Sequence, residues 1–420
     1  MEKITLHLLL LLLLSPFLLF SARSQSFIGV NYGEEADNLP SSDATARLLQ
    51  STTISKLRLY APDPALLRSL ASTDITVILG VPNSDLPTLA SSSSAASTWA
   101  SSNLLPFLPS PSIPLIAVGN EALNSGDPSL PPLLLPAMQN LQSALSSTAP
   151  QIKISTVHSM AILSQSDPPS AGAFHSDLSS VLSPILHFLQ DNGSPFMINP
   201  YPFFAYRSDP RPETLAFCLF QPNPGRVDPV SALTYSNMFD AQVDAIRSAL
   251  DAMGFTNLEI VVAETGWPYK GDADEVGASV DNAKAFNGGL VGHLKSMVGT
   301  PKMPGKSVDT YIFALYDEDL KAGPTSERSF GLFRPDLTMT YDVGLSKTTN
   351  SSPASPASPT EKPACETTGN VSSSFSCGQP SAECSVTLPD GSCLISEAAG
   401  VKLLYWISFC CLFFHLVLIS

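Results

Sequence analysis

The chain is poor in charged residues, and positive charge is the scarcer kind. Charged residues make up 14% of the 420 residues, and 22 Lys and Arg face 37 Asp and Glu, for a formal net charge of -15. Proteins that bind nucleic acid need basic patches to neutralise phosphates, so this balance argues against a nucleic-acid partner. It also disfavours attachment to anionic lipid by charge alone. Hydrophobic residues make up 44%, which is ample for a large core.

Motifs for nucleotides and for structural zinc are missing as well. The sequence has no GxGxxG and no P-loop, so nothing indicates a nucleotide site. Four of the seven cysteines, Cys365, Cys377, Cys384 and Cys393, cluster without paired C-x-x-C spacing or a nearby histidine. Disulfides in a small module are therefore the favoured interpretation, and zinc is the competing one. We expect no metal and no cofactor.

The N-terminus has the pattern of a secretory signal peptide. Lys3 precedes a leucine-rich run that starts at Leu8, and small residues near Ser24 suit cleavage. We expect residues 1–24 to be removed and the mature chain to begin near Gln25. An uncleaved anchor is the alternative.

A second apolar run, Leu403 to Ile419, lies almost at the end of the chain, and no basic residue follows it. Its length is at the short limit for a spanning helix. Small residues from Gly391 and a short spacer precede it, which is typical of a GPI attachment signal, with a retained helix as the alternative. We therefore expect residues 401–420 to be a GPI-signal tail. The secreted protein would lie at the outer face of the cell membrane or in the cell wall.

Composition also divides the rest of the chain. Residues 346–364 are rich in Pro, Ser and Thr and cannot bury a core, so they are predicted to form a linker. The linker separates a body, residues 25–345, from a short cysteine-containing segment, residues 365–400. The body is the part expected to carry the fold and the function.

Eight short apolar or β-branched runs recur in the body, with stretches of helical spacing between them. The stretch from Ser42 and the stretch from Met238 are examples of such helices, and both have plausible caps. Strands that alternate with helices in this way predict an α/β fold, a (β/α)8 TIM barrel rather than an open sheet. The runs begin at Phe27, Ser55, Ile75, Ile113, Ile152, Pro195, Leu258 and Asp309.

Two of these runs end on a glutamate. The fourth run ends on Glu121, directly after Asn120, and the seventh ends on Glu264. A strand that is buried on both faces brings its C-terminal residue to the mouth of a parallel barrel. Cleavage of a glycosidic bond requires two carboxyl groups, one acid and one nucleophile or base. The pair therefore predicts a glycoside hydrolase, and two solvated strand ends are the alternative.

Six short motifs accompany these glutamates along the body. They are GVNYG at 29–33, ADNLP at 36–40, VGNE at 118–121, YSNMFDAQVDA at 235–245, AETGWP at 263–268 and YDEDLKAGPTSERSFGLF at 316–333. In content and order they resemble plant glucan endo-1,3-β-glucosidases, glycoside hydrolase family 17. The resemblance implies retaining endo-hydrolysis of β-1,3-glucan, a callose-like polymer. It further implies that Glu121 is the acid/base and Glu264 the nucleophile.

Other residues are candidates for binding the sugar chain. Asn120 is placed to hold the sugar 2-hydroxyl or to orient the nucleophile, with a structural cap as the alternative. Aromatic rings offer flat apolar surface to sugar faces, although single aromatic residues more often belong to a core. With the long loop at 204–224, these rings predict an open groove rather than a closed pocket. The aromatic candidates are Tyr32, Tyr201 and Trp267 at strand ends, and Phe204 in the loop.

Charged residues after the eighth strand are also candidates. Glu318, Lys321 and Glu327 match an acidic and lysine cluster of the family, which implies a network that holds the site and tunes its carboxylates. A solvated charged loop is the alternative. Arg58 ends the second strand and is a candidate support for the nucleophile. Tyr269 departs from the family pattern, which has a small hydroxyl or amide residue after GWP, so it bears on subsite shape.

Three functions stay open on the sequence alone. The first is endo-hydrolysis of β-1,3-glucan. The second keeps the chemistry but acts on mixed-linkage 1,3;1,4-β-glucan, or transfers the sugar to a hydroxyl group instead of water. The third is a non-catalytic wall-glucan-binding protein, which the two glutamates argue against. The expected partners are the polysaccharide and, through a GPI anchor, the membrane, and we expect a monomer.

Overall fold

The computed structural model describes residues 27–347, which form a closed barrel of eight parallel strands surrounded by helices. The predicted (β/α)8 fold is therefore confirmed, and each of the eight predicted runs contributes one strand. Every strand pairs with its neighbours in the sequence, and the first pairs with the last. The strands are β1 (Ile28–Tyr32), β2 (Lys56–Leu59), β3 (Thr76–Val81), β4 (Ser112–Asn120), β5 (Lys153–Ser159), β6 (Phe196–Asn199), β7 (Ile260–Thr265) and β8 (Asp309–Ile312).

Helices cover the outside of the barrel. Several begin after a polar residue whose side chain caps the first turn, such as Ser41, Ser92, Asn237 and Ser279. They are α1 (Ser42–Gln50), α2 (Pro64–Leu70), α3 (Leu86–Ser91), α4 (Ser93–Asn103), α5 (Pro131–Leu145), α6 (Ser179–Asn192), α7 (Pro202–Ser208), α8 (Pro212–Cys218), α9 (Met238–Ala252) and α10 (Val280–Ser296). In the described part of the chain, no helix is long and apolar enough to span a membrane.

Successive strand residues point to opposite faces, and this alternation makes two separate cores. In β4, Ile116 and Val118 pack outward in the large cluster between strands and helices. Leu115 and Ala117 belong instead to a small cluster of strand residues inside the barrel. The filled interior leaves the two ends of the barrel as the places where a site can form.

Two short antiparallel hairpins stand in the connections after β5 and β6. Leu163–Gln165 pairs with Ala173–Phe174, and Arg226–Val227 pairs with Thr234–Tyr235. The buried carboxylate of Asp228 ties the two connections together, since it accepts hydrogen bonds from the Ser170 N–H and hydroxyl. Both hairpins follow the C-terminal ends of strands and so build one side of the barrel mouth.

The last described residues are fixed to the base of the barrel. Thr53 N–H donates to the Leu345 carbonyl, Lys347 N–H donates to the Ser51 carbonyl at 3.0 Å, and Lys347 Nζ donates to the Gln50 carbonyl at 2.7 Å. These partners precede β2, so the chain leaves the barrel at the end opposite the mouth. The predicted signal peptide (1–24), the cysteine segment (365–400), the tail (401–420) and the linker beyond Lys347 lie outside the described residues.

Candidate active site

A cavity of about 580 Å³ opens at the C-terminal ends of the strands. Glu121 and Glu264 both line it, so the fold brings together the two glutamates that the sequence singles out. Tyr201, Phe204 and Asn120, the candidates for substrate contacts, also line it. The other lining residues are Ser159, Met160, Ala161, Asn199, Ala205, Ser208, Gln242, Phe313, Lys321, Glu327 and Phe330.

Glu121 follows a bulge at the end of β4. The register between β4 and β5 shifts between Ala117 and Asn120, where Gly119 has φ 72°. Glu121 itself has φ 51°, a left-handed conformation that is uncommon for residues other than glycine and often marks functional sites. Its N–H donates to the Val157 carbonyl at 2.9 Å, which holds the strained backbone in place. The bulge thus aims this side chain at the cavity.

The surroundings of Glu121 favour its protonated form. Burial raises the pKa of Glu121, and the nearby Glu264 raises it further. A hydrogen bond from Asn199 Nδ2 to Oε1, at 2.6 Å, and the charges of Arg58 and Lys321 act in the opposite direction without cancelling the rise. A carboxyl group whose pKa lies above its ordinary value is suited to donate a proton.

Glu264 is the last residue but one of β7 and is only 7% exposed. Arg58 Nη1 lies 2.7 Å from Oε1, and the Tyr201 hydroxyl donates to Oε2 at 2.9 Å. Arg58 Nη2 also donates to Asn120 Oδ1 at 2.8 Å, so one guanidinium orients two side chains of the cavity. Charge-assisted hydrogen bonds of this kind stabilise a carboxylate and fix its direction. Arg58, proposed from the sequence as a support for Glu264, is in direct contact with it.

Sequence reasoning missed three polar residues of this cluster. The Tyr60 ring lies under the Arg58 guanidinium, 4.4 Å from it, and Tyr60 is close enough to Glu264 to interact with its charge. Burial and the charge of Glu264 place the pKa of Tyr60 well above its ordinary value, so the hydroxyl keeps its proton. Asn31 Nδ2 donates to the Tyr60 hydroxyl at 3.1 Å, and Asn199 contacts Glu121. All three are polar residues at or near the end of a strand, the same signal that identified the glutamates.

The loop after β8 brings a cation into the cavity. Lys321 Nζ lies 3.1 Å from Glu327 Oε2 and 4.4 Å from the centre of the Phe313 ring. Burial alone would lower the pKa of Lys321, but the charges of Glu327 and Glu264 raise it. Glu318 does not line the cavity, but it is buried and accepts a hydrogen bond from the Glu35 N–H. The cluster is therefore partly buried beside the glutamates, in contrast to the alternative of a solvated charged loop.

Three aromatic rings give the cavity an apolar wall. The Tyr201 ring lies 5.5 Å from that of Phe204 and 6.0 Å from that of Phe330. Phe204 is 42% exposed, so it offers a ring face to a ligand. Phe330 was not among the residues predicted from the sequence.

The prediction that Trp267 and Tyr32 contact the sugar chain is wrong. Trp267 has no exposed surface, packs edge-on against Phe203 and donates its Nε1–H to the Gly277 carbonyl at 2.8 Å. Tyr32 is 4% exposed and packs against Tyr316. Both side chains belong to the core between strands and helices. These two rings therefore lie outside the cavity, although both residues are at or near the end of a strand.

A second cavity of about 640 Å³ adjoins the first. The two share the lining residues Met160, Ala205, Ser208 and Gln242. The hairpin at 226–235 and helix α9 contribute to the walls of the second cavity. Together the two cavities extend along the barrel mouth. Tyr269, the residue that departs from the family pattern, lines neither of them and hydrogen-bonds to Asp317.

Fold and site together define a class of protein. A half-buried carboxyl group directly after β4 and a buried one in β7 share one cavity at the mouth of a (β/α)8 barrel. The first favours its proton, and the second is paired with an arginine. This is the arrangement used by glycoside hydrolases. Within residues 27–347, no group of three or more His, Cys, Asp or Glu is placed to hold a metal ion.

Comparison with known proteins agrees with this class. The model of "Glycosyl hydrolases family 17" matches residues 28–345, and the chain belongs to this family. It is 56% identical over 411 residues to glucan endo-1,3-beta-glucosidase 7 of Arabidopsis thaliana, covering 94% of this chain and 81% of the relative. It is 52% identical over 419 residues to a glucan endo-1,3-beta-D-glucosidase of Olea europaea, covering 95% and 90%. The family resemblance drawn from the motifs is thereby confirmed.

A solved structure is also similar. It is a beta-1,3-glucanase and allergen of Cryptomeria japonica pollen, with a TM-score of 0.72 and 44% identity. The match covers 76% of this chain and 99% of that one. The shared region is therefore the barrel, and the chain is a glycoside hydrolase of this fold.

Proposed function

We propose that this enzyme cleaves internal 1,3-β-glucosidic linkages of a β-1,3-glucan and retains the β-configuration. The observation that carries the proposal is the placement of Glu121 and Glu264 together in one elongated cavity at the barrel mouth. The names of its plant relatives at 52% and 56% identity support the choice of substrate.

Glu264 is the proposed nucleophile. Arg58 and Tyr201 hold its carboxylate by hydrogen bonds, so it faces the sugar in one orientation. Attack of a carboxylate oxygen on the anomeric carbon forms a glycosyl-enzyme, while Glu121 gives its proton to the departing sugar oxygen. The negative charge of Glu264 disappears in that ester. Since this charge helps to raise the pKa of Glu121, the pKa then falls and Glu121 can accept a proton from water.

Asn120 is the proposed ligand of the sugar 2-hydroxyl. The side-chain oxygen of Asn120, Oδ1, accepts a hydrogen bond from Arg58, and this leaves the side-chain NH2 group for the substrate. Asn83 holds the backbone of Asn120 by two hydrogen bonds of 2.9 Å. A rigid donor at this position supports bonds that strengthen in the transition state.

The proposed endo mode rests on the shape of the mouth. A polymer can lie through the catalytic cavity and continue into the second cavity, with the rings of Tyr201, Phe204 and Phe330 along its path. Remote contacts of this kind help to position the bond to be cleaved, so turnover should rise with oligomer length. Mixed-linkage glucan as substrate and transfer to a sugar hydroxyl both use the same glutamates and stay as the alternative functions.

Product analysis on laminarin-type and mixed-linkage glucans tests the proposal. We expect oligosaccharides of mixed length from β-1,3-glucan, with the β-configuration retained and viscosity falling before much reducing sugar appears. Glucose as the sole early product would contradict the endo mode, and inversion at the anomeric carbon would contradict the assignment of Glu264. A preference for mixed-linkage glucan, or products longer than the substrate, would favour the alternative functions.

We also propose that the protein acts at the outer face of the cell membrane through a GPI anchor, or in the cell wall. This proposal rests on the signal-like pattern of residues 1–24 and on the apolar run Leu403 to Ile419 with small residues before it. Treatment of membranes with a phosphatidylinositol-specific phospholipase should release the enzyme. Retention after complete treatment would favour a spanning helix.

A further inference from the structure

Glu275 lies outside the catalytic cavity and joins three of the loops around it. It belongs to the loop after β7 and is 4% exposed. Its Oε2 accepts hydrogen bonds from Ser326 N–H at 3.0 Å and Asp272 N–H at 2.9 Å, and its Oε1 accepts one from the Ser326 hydroxyl. Arg207 of α7 lies 3.5 Å from Oε1. One buried carboxylate thus connects α7, the loop after β7 and the loop after β8.

A second carboxylate on the same turn strengthens the connection. Asp272 accepts hydrogen bonds from the N–H and the hydroxyl of Thr325, the residue before Ser326. The other end of the turn is also fixed, because Trp267 and Asn282 both donate to the Gly277 carbonyl. This contact gives the buried Trp267 a structural role. We refer to Asp272 and Glu275 with their partners Thr325 and Ser326 as the loop clamp.

The clamp holds a short 3-10 helix, Thr325–Arg328, of which Glu327 lines the catalytic cavity. Glu327 follows Ser326 directly and forms the ion pair with Lys321. Arg328 Nη1 donates to the carbonyls of Lys321 and Gly323, at 2.8 Å each, and so closes the loop on itself. A displacement of this helix would therefore carry Glu327 and Lys321 with it.

We propose that Glu275 is a positioning residue of the active site, which keeps the Glu327–Lys321 pair beside Glu264 and Glu121 by holding Ser326. Glu275 acts through the loop, since it does not line the cavity that contains the two glutamates. This proposal rests on the proposed function, because the effect of Glu275 on the pH dependence of kcat/KM is expected only if Glu121 is the acid.

The charges around Glu121 and Lys321 determine the direction in which the pKa of Glu121 should change. Glu264 faces Glu121 and raises its pKa, whereas Arg58, Lys321 and the hydrogen bond from Asn199 lower it. Lys321 itself is faced by Glu327, Glu264 and Glu318. If Lys321 moves away, the pKa of Glu121 rises, and the acid stays protonated to higher pH. The basic limb of the kcat/KM profile should then move upward.

The Glu275 carboxylate is ionised. The displacement of Lys321 and the loss of the Glu275 charge can therefore be distinguished by their effects on the pKa of Glu121. Burial alone would raise the pKa of Glu275, but hydrogen bonds from Ser326 and Asp272 hold it below its ordinary value. Removal of this negative charge without movement of the loop would lower the pKa of Glu121. Displacement of Lys321 has the opposite sign, so the direction of the shift distinguishes the two.

The test is the pH dependence of kcat/KM of the mature full-length enzyme on β-1,3-glucan. In Glu275→Gln we expect the basic limb to move upward by about 0.5 pH unit, the size expected when one partly screened cation moves away. We expect kcat/KM at the optimum to fall about tenfold, because the loop no longer positions its groups. Lys321→Gln should move the same limb upward. The double variant should move it no further than Lys321→Gln alone, since both changes act through one group.

Asp228→Asn is the matched control. Asp228 is another buried carboxylate that joins two loops by hydrogen bonds, from Ser170, Val230 and Ser231, and it does not contact Lys321. It should lose thermal stability while the basic limb stays in place. If Glu275→Gln does not fold, Ser326→Ala removes one clamp contact and should give a smaller upward shift.

If Glu275→Gln folds and its basic limb stays in place or moves downward, the proposal is wrong. It is also wrong if the shift in the double variant is the sum of the shifts in Glu275→Gln and Lys321→Gln. If the basic limb of Asp228→Asn moves upward by a similar amount, the shift reflects general destabilisation, and the proposal is wrong as well. If the unsubstituted enzyme cleaves no β-glucan, the proposed function fails, and the clamp proposal fails with it.

Discussion

Glu121 and Glu264 carry the same carboxyl group, and their surroundings suit them to different steps of a retaining reaction. Glu121 has burial, a nearby negative charge and one amide donor around it, so it favours its proton. Glu264 has an arginine at 2.7 Å and the hydroxyl of Tyr201 at 2.9 Å, contacts that stabilise a carboxylate. Two carboxyl groups held in different environments give an acid and a nucleophile from one residue type.

Replacement of either glutamate by glutamine should remove the chemistry and keep the fold. We expect Glu264→Gln and Glu121→Gln each to lose about 10³-fold or more in kcat on β-1,3-glucan, or ~4 kcal/mol of barrier. Circular dichroism and thermal unfolding should show a folded barrel in both. Azide should rescue Glu264→Ala and give a product of inverted configuration, since the small anion takes the place of the carboxylate. Near-normal turnover by Glu264→Gln would remove it from the role of nucleophile.

The sequence correctly predicted those cavity residues whose position depends only on their place at the end of a strand. Glu121 and Glu264 end strands that are buried on both faces, so their side chains had to lie near the mouth. Tyr32 ends β1 and Trp267 follows β7, but their rings pack outward into the core, and no local pattern indicates that direction. Tyr60 and Asn31 were missed because their place in the site comes from contacts between residues far apart in the sequence. Tyr60 lies near Glu264, and Asn31 donates to the Tyr60 hydroxyl and to the Ala263 carbonyl.

Among the structural elements, β4 does most to place the site, through the bulge at Gly119. Gly119 has φ 72°, and a Cβ there would meet Asn83 Oδ1 at 3.0 Å and Leu134 Cδ2 at 3.1 Å. Asn83 holds the backbone of Asn120, the residue before Glu121. A side chain at position 119 would therefore press on the group that fixes the turn. The bulge was not predicted, since a single glycine in an apolar run does not determine the register.

Gly119→Ala tests the bulge. We expect a loss of about 1–3 kcal/mol in stability from the strained conformation, together with a fall of about tenfold or more in kcat. Gly126→Ala is the matched control, because Gly126 has φ 82° but no heavy atom within 4 Å of the added Cβ. It should lose stability through strain and keep its kcat. Equal kcat values for the two variants would show that the bulge does not position Glu121.

The hairpin after β6 and helix α9 form the second cavity, and this can be tested by narrowing it. Ala241 on α9 lines the second cavity and not the first. We expect Ala241→Trp to lower kcat/KM severalfold for long glucan oligosaccharides, because it obstructs remote binding, and to leave short ones unchanged. Ala252→Trp at the exposed end of the same helix is the control and should affect no substrate. An equal loss for all chain lengths would show that the polymer does not enter the second cavity.

At the scale of the described molecule, eight strands build one barrel, and the catalytic cavity lies at one of its ends. The apolar runs predicted all eight strands, because a strand covered on both faces is mostly apolar or β-branched. The long connections after β5 and β6 were harder to predict, since their hairpins are two or three residues per strand. The predicted linker beyond Lys347, the cysteine segment and the tail lie outside the described residues and stay predictions.

The exit of the chain at the base gives a prediction about truncation. We expect a protein that ends at Lys347 to keep the kcat of the full mature chain, because the catalytic cavity lies at the opposite end of the barrel. A protein that ends at Gly344 should lose about 2–5 kcal/mol of stability on removal of Leu345, which is 2% exposed and accepts a hydrogen bond from Thr53. Urea unfolding and kcat on β-1,3-glucan measure both effects. A loss of kcat in the protein ending at Lys347, without a loss of stability, would show that later residues contribute to the site.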